Sequence, residues 1–498
     1  MSTSTGNTFG TIARHSLIYG IGNIISRAVS FVMLPLYTHY LTPRDYGTVE
    51  LLSSTVDIIS IVAGIGLASA IFKYYSQYED KKDKDEVMST AMILLLLISF
   101  ATAITGSILS PHISKIVFGS EHNSYYFRII FLIYFLDQGA VMVPLMLIRA
   151  ENRSGLFVGI STVKLFIQIF FNIYFIVVLK MSILGILYST LLANIVIGSF
   201  LSYRAFRRTG FLFSKRKGKE MIRFGYPFIF VSLSSFALTY SDRYFLNIYS
   251  NLETIGIYAL AYKFGFLMGY LSADPFMQIW EPQRFEIAKQ ENALLIFKRA
   301  FQYFNVLVVL VSLVLCIYVK DVLIIMSKSV YVEAYKMVPI VILAYIIQAW
   351  TFYCNLGIYI KNRSNTMAAA SFIATISVIG LNFLLIPKYG AYGAAWATVG
   401  AFLIRFVLVY YFSQKMYPIN YGLKKQAALL AAAAFIYAAS RVIDLQPLAL
   451  SLMVNTVLVC LFIAGTYFIF LDDKEKNSMR SMVLIPVTFI RTVLNERS

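Results

Sequence analysis

Pro447-Leu-Ala-Leu-Ser-Leu-Met-Val-Asn-Thr-Val-Leu-Val-Cys-Leu-Phe-Ile-Ala-Gly-Thr-Tyr-Phe-Ile-Phe-Leu471 contains no charged residue and ends at the acidic pair Asp472-Asp473. About 20 mainly apolar residues, wound as a helix, cross the hydrocarbon of a bilayer. A helix of a water-soluble bundle needs a polar face, and this stretch has almost none. The same pattern recurs toward the N-terminus. Fourteen candidate spans lie near 13–38, 48–75, 87–110, 125–148, 156–179, 183–203, 225–248, 255–280, 299–319, 335–360, 366–387, 391–413, 424–441 and 447–471. Composition agrees: 59% of the 498 residues are hydrophobic and 14% charged, with a mean hydropathy of +0.71, where a soluble domain carries about a quarter charged residues. The expected fold class is an all-α integral membrane protein.

The chain opens on a polar stretch, and the apolar run after it exceeds the roughly 7–15 residues of a signal h-region. No A-x-A-like site closes that run, so the first helix is expected to be retained. The net charge is +18, and its placement follows the positive-inside rule. The connection 204–223 alone carries eight basic residues: Arg204, Arg207, Arg208, Lys215, Arg216, Lys217, Lys219 and Arg223. All the odd-numbered connections together carry seven: Arg44, Lys115, Lys180, Lys320, Lys328, Lys388 and Arg441. Both termini are therefore expected to be cytoplasmic. The basic surplus reads as topology and as attraction to anionic membrane lipids, not as a nucleic-acid surface. Cys316, Cys354 and Cys460 lie inside apolar segments, and His15, His39, His112 and His122 form no metal motif, so no metal is expected. The G-x-x-x-x-G-K-[ST] phosphate loop is absent, which argues against direct ATP hydrolysis.

The chain repeats itself at an offset of about 208–210. Tyr40-Leu-Thr-Pro-Arg-Asp-Tyr-Gly47 finds a counterpart in Tyr249-Ser-Asn-Leu-Glu-Thr-Ile-Gly256. Asn152-Arg153-Ser154 matches Asn362-Arg363-Ser364, and Lys180-x4-Gly185 matches Lys388-x4-Gly393. Each unit holds six helices, an even number, so the two units share one orientation about an axis along the membrane normal. This divides the chain into a six-helix lobe (1–203), a basic linker (204–224), a second six-helix lobe (225–413), two extra spans (414–471) and a tail (472–498). A cleft between two such lobes, opened alternately by rocking, is a transporter architecture.

An ionisable group at helix depth costs about 2.5–3.5 kcal/mol or more when it faces lipid. The groups at that depth are Arg27, Asp57, Asp137, Lys164, Asp242, Arg243, Lys263, Asp274 and Arg405. Several lie in polar stripes at helical spacing: Ser16, Gly20, Asn23, Arg27 and Ser30; Ser53, Asp57, Ser60 and Gly64; Ser161, Lys164, Gln168 and Asn172; Ser232, Ser235, Thr239 and Asp242; Lys263, Tyr270 and Asp274. Phosphate oxygens suit such cations. Arg27, Lys164, Lys263, Arg243 and Arg405 are the candidates for holding an anionic headgroup. Asp57, Asp242, Asp137 and Asp274 are the candidate counter-ions or carriers of a coupling proton. Plain ion pairing within the bundle is the competing reading. Pro35, Pro144, Pro275 and Pro339 are candidate kinks.

Taken in order, Pro35-Leu-Tyr-Thr-His-Tyr-Leu-Thr-Pro-Arg-Asp-Tyr-Gly47, Phe224-Gly-Tyr-Pro227, Tyr240-Ser-Asp-Arg-Tyr-Phe-Leu246, Gly256-Ile-Tyr-Ala-Leu-Ala-Tyr-Lys263 and Ile386-Pro-Lys-Tyr-Gly-Ala-Tyr-Gly-Ala-Ala395 resemble the Wzx-type polysaccharide flippases. These belong to the multidrug/oligosaccharidyl-lipid/polysaccharide exporter superfamily, and the resemblance spans roughly 10–415. It implies a non-enzymatic carrier in the bacterial inner membrane that moves undecaprenyl-diphosphate-linked oligosaccharide to the outer leaflet. Surface polysaccharide such as O-antigen, capsule or exopolysaccharide would be the end product. It also implies a cationic central cavity; with no phosphate loop, a proton or sodium gradient is the working expectation for the energy source, and a polysaccharide polymerase and chain-length regulator are the candidate partners. Arg27, Lys164 and Lys263 are this chain's candidates for the cationic cavity. The rival readings are a lipid II flippase, a cation-coupled multidrug exporter, and a membrane polymerase or glycosyltransferase. The last would need a catalytic extracytoplasmic loop larger than 110–124 or 320–334.

Overall fold

The computed structural model describes residues 31–443 and 448–470. Among the described residues the regular elements are all helices, and eleven are long and apolar enough to cross a membrane. The first lobe comprises α1 (Leu34–Tyr40), α2 (Pro43–Ala63), α3 (Leu67–Gln77), α4 (Lys81–Phe118), α5 (Ser124–Ala150), α6 (Ser154–Val178) and α7 (Ser182–Thr209). Then come α8 (Lys215–Tyr249), α9 (Leu252–Ile287), α10 (Ala293–Met326), α11 (Val338–Ile360), α12 (Ser364–Met416), α13 (Leu423–Val442) and α14 (Leu448–Phe468). The 53-residue α12 is two helices joined across a kink at Gly390, whose φ is +52°. It therefore holds the eleventh and twelfth expected spans. α13 stands where the thirteenth was expected but is not among the eleven. Most of the first expected span, with Arg27, lies outside the described residues.

The three repeat signatures correspond to three shared backbone events. α2 and α9 begin alike: Thr42 Oγ1 accepts from the Asp45 amide at 3.2 Å, and Asn251 Oδ1 accepts from the Thr254 amide at 2.8 Å. Both are N-caps that satisfy an amide the helix cannot. Asn152 and Asn362 both adopt left-handed backbone, at φ +56° and +53°. After each, the next amide reaches back to a helical carbonyl, Arg153 to Ile148 at 3.0 Å and Arg363 to Ile358 at 2.9 Å. Asparagine tolerates that conformation at a helix end. Gly185 and Gly393 each press against the preceding helix, at Ile176 and at Leu385, where a Cβ would collide.

Two features depart from the sequence reading. The second expected span, 48–75, is broken: Ile65 and Gly66 are left-handed at φ +47° and +60°, separating α2 from α3. The expected linker, 204–224, is mostly helix, because α8 already begins at Lys215. Lys217 is buried there and pairs with Asp83 at 2.7 Å and Glu86 at 2.6 Å. α8 thus belongs to both lobes. Its first turns pack on α3 and α4, with Met221 beside Leu67, Ala70 and Ile71. Its last turns pack on α12, where Asn382 Nδ2 donates to Ser241 Oγ at 3.2 Å and Phe245 meets Phe383 edge-on.

α13 and α14 attach to α10. Asn305 Nδ2 donates to Gln426 Oε1 at 2.7 Å, and Arg441 Nη2 donates to the Cys316 and Ile317 carbonyls at 2.7 and 2.8 Å. Asn455 and Ser451 donate to buried Asp321 at 2.9 and 3.2 Å. The extra pair is therefore fastened to the second lobe.

Candidate functional site

The lobes meet at two crossings. Toward one face, Gly47 of α2 lies against the Leu252 carbonyl and Gly256 of α9 lies against the Pro43 carbonyl; a Cβ at either glycine would collide with backbone. These are the paired glycines of the repeat, and the contact is reciprocal. Around it, Thr38 Oγ1 donates to the Met326 carbonyl at 2.9 Å, Tyr331 OH to the Leu41 carbonyl at 3.4 Å, and Tyr46 meets Tyr331 edge-on. Toward the opposite face, where the strongly basic connections lie, Gly66 sits on the Gly225 carbonyl and Gly225 on the Ile65 carbonyl.

Between the crossings lies a cavity of about 560 Å³. Glu50, Ser53, Ser54 and Asp57 line it from α2, and Ser161, Lys164 and Gln168 from α6. Tyr240 of α8 and Lys263 of α9 face it from the second lobe. Lys263 Nζ pairs with Glu50 at 3.1 Å, an ion pair that joins the lobes. Lys164 Nζ donates to Asp137 Oδ1 at 3.2 Å. Asp137 stands in a π-helical turn, Leu136–Met142, directly ahead of Pro144. Such turns re-aim side chains and recur at functional sites. Asp57 is exposed on the cavity wall, and no ion pair to it occurs among the described residues.

The candidate residues thus separate. Lys164, Lys263 and Asp57 share one cavity, with Asp137 as the partner of Lys164. Arg243 and Asp242 do not line it. They form a buried pair at 2.7 Å, where Arg243 also donates to the Thr239 carbonyl at 2.6 Å and Tyr258 OH donates to Asp242 at 2.6 Å. The Arg243 guanidinium lies over the Tyr240 and Tyr262 rings, 4.8 and 4.2 Å from their centroids. Asp274 and Arg405 are likewise outside the cavity lining. Asp274 follows the π-helical turn Gly269–Ala273 of α9, and Arg405 stands on the second part of α12.

Glu50 is not among the residues that helix depth and stripe single out in the sequence. A charge near the start of a span reads as interfacial, and the true helix begins at Pro43, two turns earlier. The signal was the stripe itself, since Ser53 and Asp57 continue back to Glu50 at spacings of i+3 and i+7. Among the described residues no group of His, Cys, Asp and Glu is placed to hold a metal.

An all-helical membrane protein whose apolar helices surround a charged cavity fits the class of membrane transporters. Comparison with known proteins narrows the class. The family model described as "Polysaccharide biosynthesis protein" matches residues 12–277, and the chain belongs to that family. The succinoglycan biosynthesis transport protein ExoT of Rhizobium meliloti (strain 1021) is 20% identical over 243 residues, covering 47% of this chain and 46% of that protein. The chain thus matches about half the length of that curated relative. The fold is similar to that of the lipid II flippase MurJ in an inward closed conformation, at a TM-score of 0.71 and 15% identity, covering 91% of this chain and 99% of that one. It is also similar to an inward-facing multidrug resistance transporter of the MATE family of the MOP superfamily, at 0.63 and 16%, covering 78% and 94%. These findings agree with the resemblance to polysaccharide flippases.

Proposed function

We propose that this protein carries an undecaprenyl-diphosphate-linked oligosaccharide repeat unit from the cytoplasmic to the outer leaflet of a bacterial inner membrane, with both termini cytoplasmic. The observation that carries this reading is the cavity at the lobe interface, with Lys164 contributed by one lobe and Lys263 by the other. A diphosphate and its sugars cannot enter hydrocarbon unaided, and a cavity with two lysines and several hydroxyls offers the polar head an alternative to water. The prenyl chain stays in lipid. Asp137 and Glu50 hold the lysines while no substrate is present, and the entering diphosphate displaces these carboxylates. Breaking the Lys263–Glu50 pair also removes a tie between the lobes, so binding and rocking become coupled. Asp57 is the candidate to take up a coupling proton, and sodium is the alternative ion. Assembly with a polymerase and chain-length regulator belongs to the same reading.

The family match favours a polysaccharide substrate over the drugs named for the MATE neighbours. The decisive experiment is complementation of a deletion strain by Arg27→Ala, Lys164→Ala and Lys263→Ala combined. The expected result is loss of surface polysaccharide and build-up of lipid-linked sugar on the cytoplasmic side. Full activity of the triple variant would sink the proposal.

A further inference from the structure

Beyond the cavity, two arginines on helices of the second lobe, Arg284 and Arg405, form no ion pair among the described residues. Arg284 on α9 is 4% exposed; its Nη1 donates to Asn355 Oδ1 at 2.8 Å, while its buried Nε has no acceptor. Arg405 on α12 is partly exposed, and its Nε is likewise buried without an acceptor. Neither forms an ion pair among the described residues. Glu281, one turn before Arg284, is exposed and near enough to favour its charge, but it lies beyond ion-pair distance. Both guanidiniums lie against one face of α11: Arg284 is 4.9 Å from the Tyr359 ring centroid and Arg405 is 5.8 Å from that of Phe352. Phe352, Asn355 and Tyr359 follow at i, i+3 and i+7, so they share that face.

The contrast with the other cations among the helices is physical. Lys164, Lys263, Arg243 and Lys217 all have carboxylate partners. A buried charge without an ion pair, as at Arg284, is unfavourable, and arginine cannot escape by losing its proton.

The repeat adds an independent argument. Leu145 lies seven residues before Asn152, as Asn355 does before Asn362. Ile197 lies twelve residues after Gly185, as Arg405 does after Gly393. Leu145 and Ile197 both line the cavity. The second lobe therefore places an amide and a guanidinium where the first places apolar wall.

We propose that Arg284 and Arg405, with the Asn355 amide, form a second oxyanion site that takes a phosphate group of a lipid headgroup. The planar guanidinium forks suit phosphate oxygens, and the rings of Phe352 and Tyr359 hold the forks in place. The phosphate comes either from the transported lipid's diphosphate or from a resident anionic phospholipid. This site extends the proposed function to the second lobe, but its test does not depend on the lysine cavity.

The experiment uses the full chain in nanodiscs of phosphatidylcholine, titrated with inorganic pyrophosphate. Two classes of binding are expected in wild type; one is expected to weaken tenfold or more in Arg284→Gln/Arg405→Gln and to persist in Lys164→Ala/Lys263→Ala, which loses only the other. The double Arg→Lys variant keeps the charges and guards against misfolding; it is expected to bind between wild type and the glutamine variant. Competition from phosphatidylglycerol in the disc identifies a resident phospholipid as the occupant, and its absence identifies the substrate diphosphate. No pyrophosphate binding by wild type, unchanged binding in both arginine variants, or complete loss of binding in the lysine variant each overturns the site.

Discussion

The two crossings that close the cavity are built differently. On the face away from the basic connections, α2 and α9 interlock backbone on backbone through Gly47 and Gly256, and the Glu50–Lys263 pair ties the same two helices together. On the basic face, α3 meets α8 through Gly66 and Gly225. The nearby support there includes aromatic contacts: Tyr74 meets Phe224 edge-on, and Lys73 Nζ lies 3.8 Å from the Phe224 centroid. Beyond Gly225, residues 226–228 and 230–232 of α8 are exposed, with Pro227 among them. Pro227 lacks the amide that would continue the helical ladder. The far closure therefore joins the lobes through packed backbone and a charge pair. The near closure also has packed backbone, with Met221 beside Leu67, Ala70 and Ile71 and Lys217 paired with Asp83 and Glu86, but beyond Gly225 its helix runs exposed among the described residues.

Gly256→Leu tests this contrast most severely. Backbone atoms cannot step aside for a side chain, and overpacking costs about 1–3 kcal/mol or more. Transport is expected to fall by roughly a hundredfold, read as surface polysaccharide in a deletion strain. Glu50→Gln comes next. It leaves Lys263 without its partner, and because both groups are partly exposed the loss is discounted to about 1–2 kcal/mol. A cysteine at Ser54, on the cavity wall, should then label roughly tenfold faster with an impermeant maleimide added from the far side. Gly225→Ala should act more mildly and on the opposite side, raising labelling from the basic face about fivefold. Phe224→Ala removes the stack under Lys73, worth about 0.5–1 kcal/mol, and should give a two- to fivefold rise on that same face. If either near-face variant raised labelling mainly from the far side, the two closures would not be independent.

The helices were legible because apolar length alone marks a membrane span. The repeat was legible because its residues recur where the backbone leaves the helical region, as at Asn152 and Asn362. The break at Ile65-Gly66 was not. Gly64-Ile-Gly66 is apolar, and its left-handed turn is specified by the approach of Gly225, a residue distant in sequence. The site was legible in part. Depth and stripe brought out Lys164, Lys263 and Asp57, but they could not show that Arg243 would turn into a tyrosine cage beside its own neighbour Asp242. Sequence neighbours on a helix do not normally face each other, so that pairing depends on rotamers and packing. Arg284 escaped for a different reason: it stands past Pro282, where a charged residue reads as part of a loop.

The reciprocal fit of Gly47 and Gly256 is the kind of contact two identical six-helix subunits would make in an isologous dimer. In such a dimer every substitution would appear on both sides of the axis, and every charge pair would occur twice. Fusing the halves into one chain lifts that constraint. The position matching Glu50 is Ala259, and the one matching Lys263 is Ser54, so the interlobe pair occurs once, off the axis. A single polypeptide can thus keep a symmetric pivot while making its cargo compartment polar in an unsymmetric way, which no homodimer of equivalent halves could do.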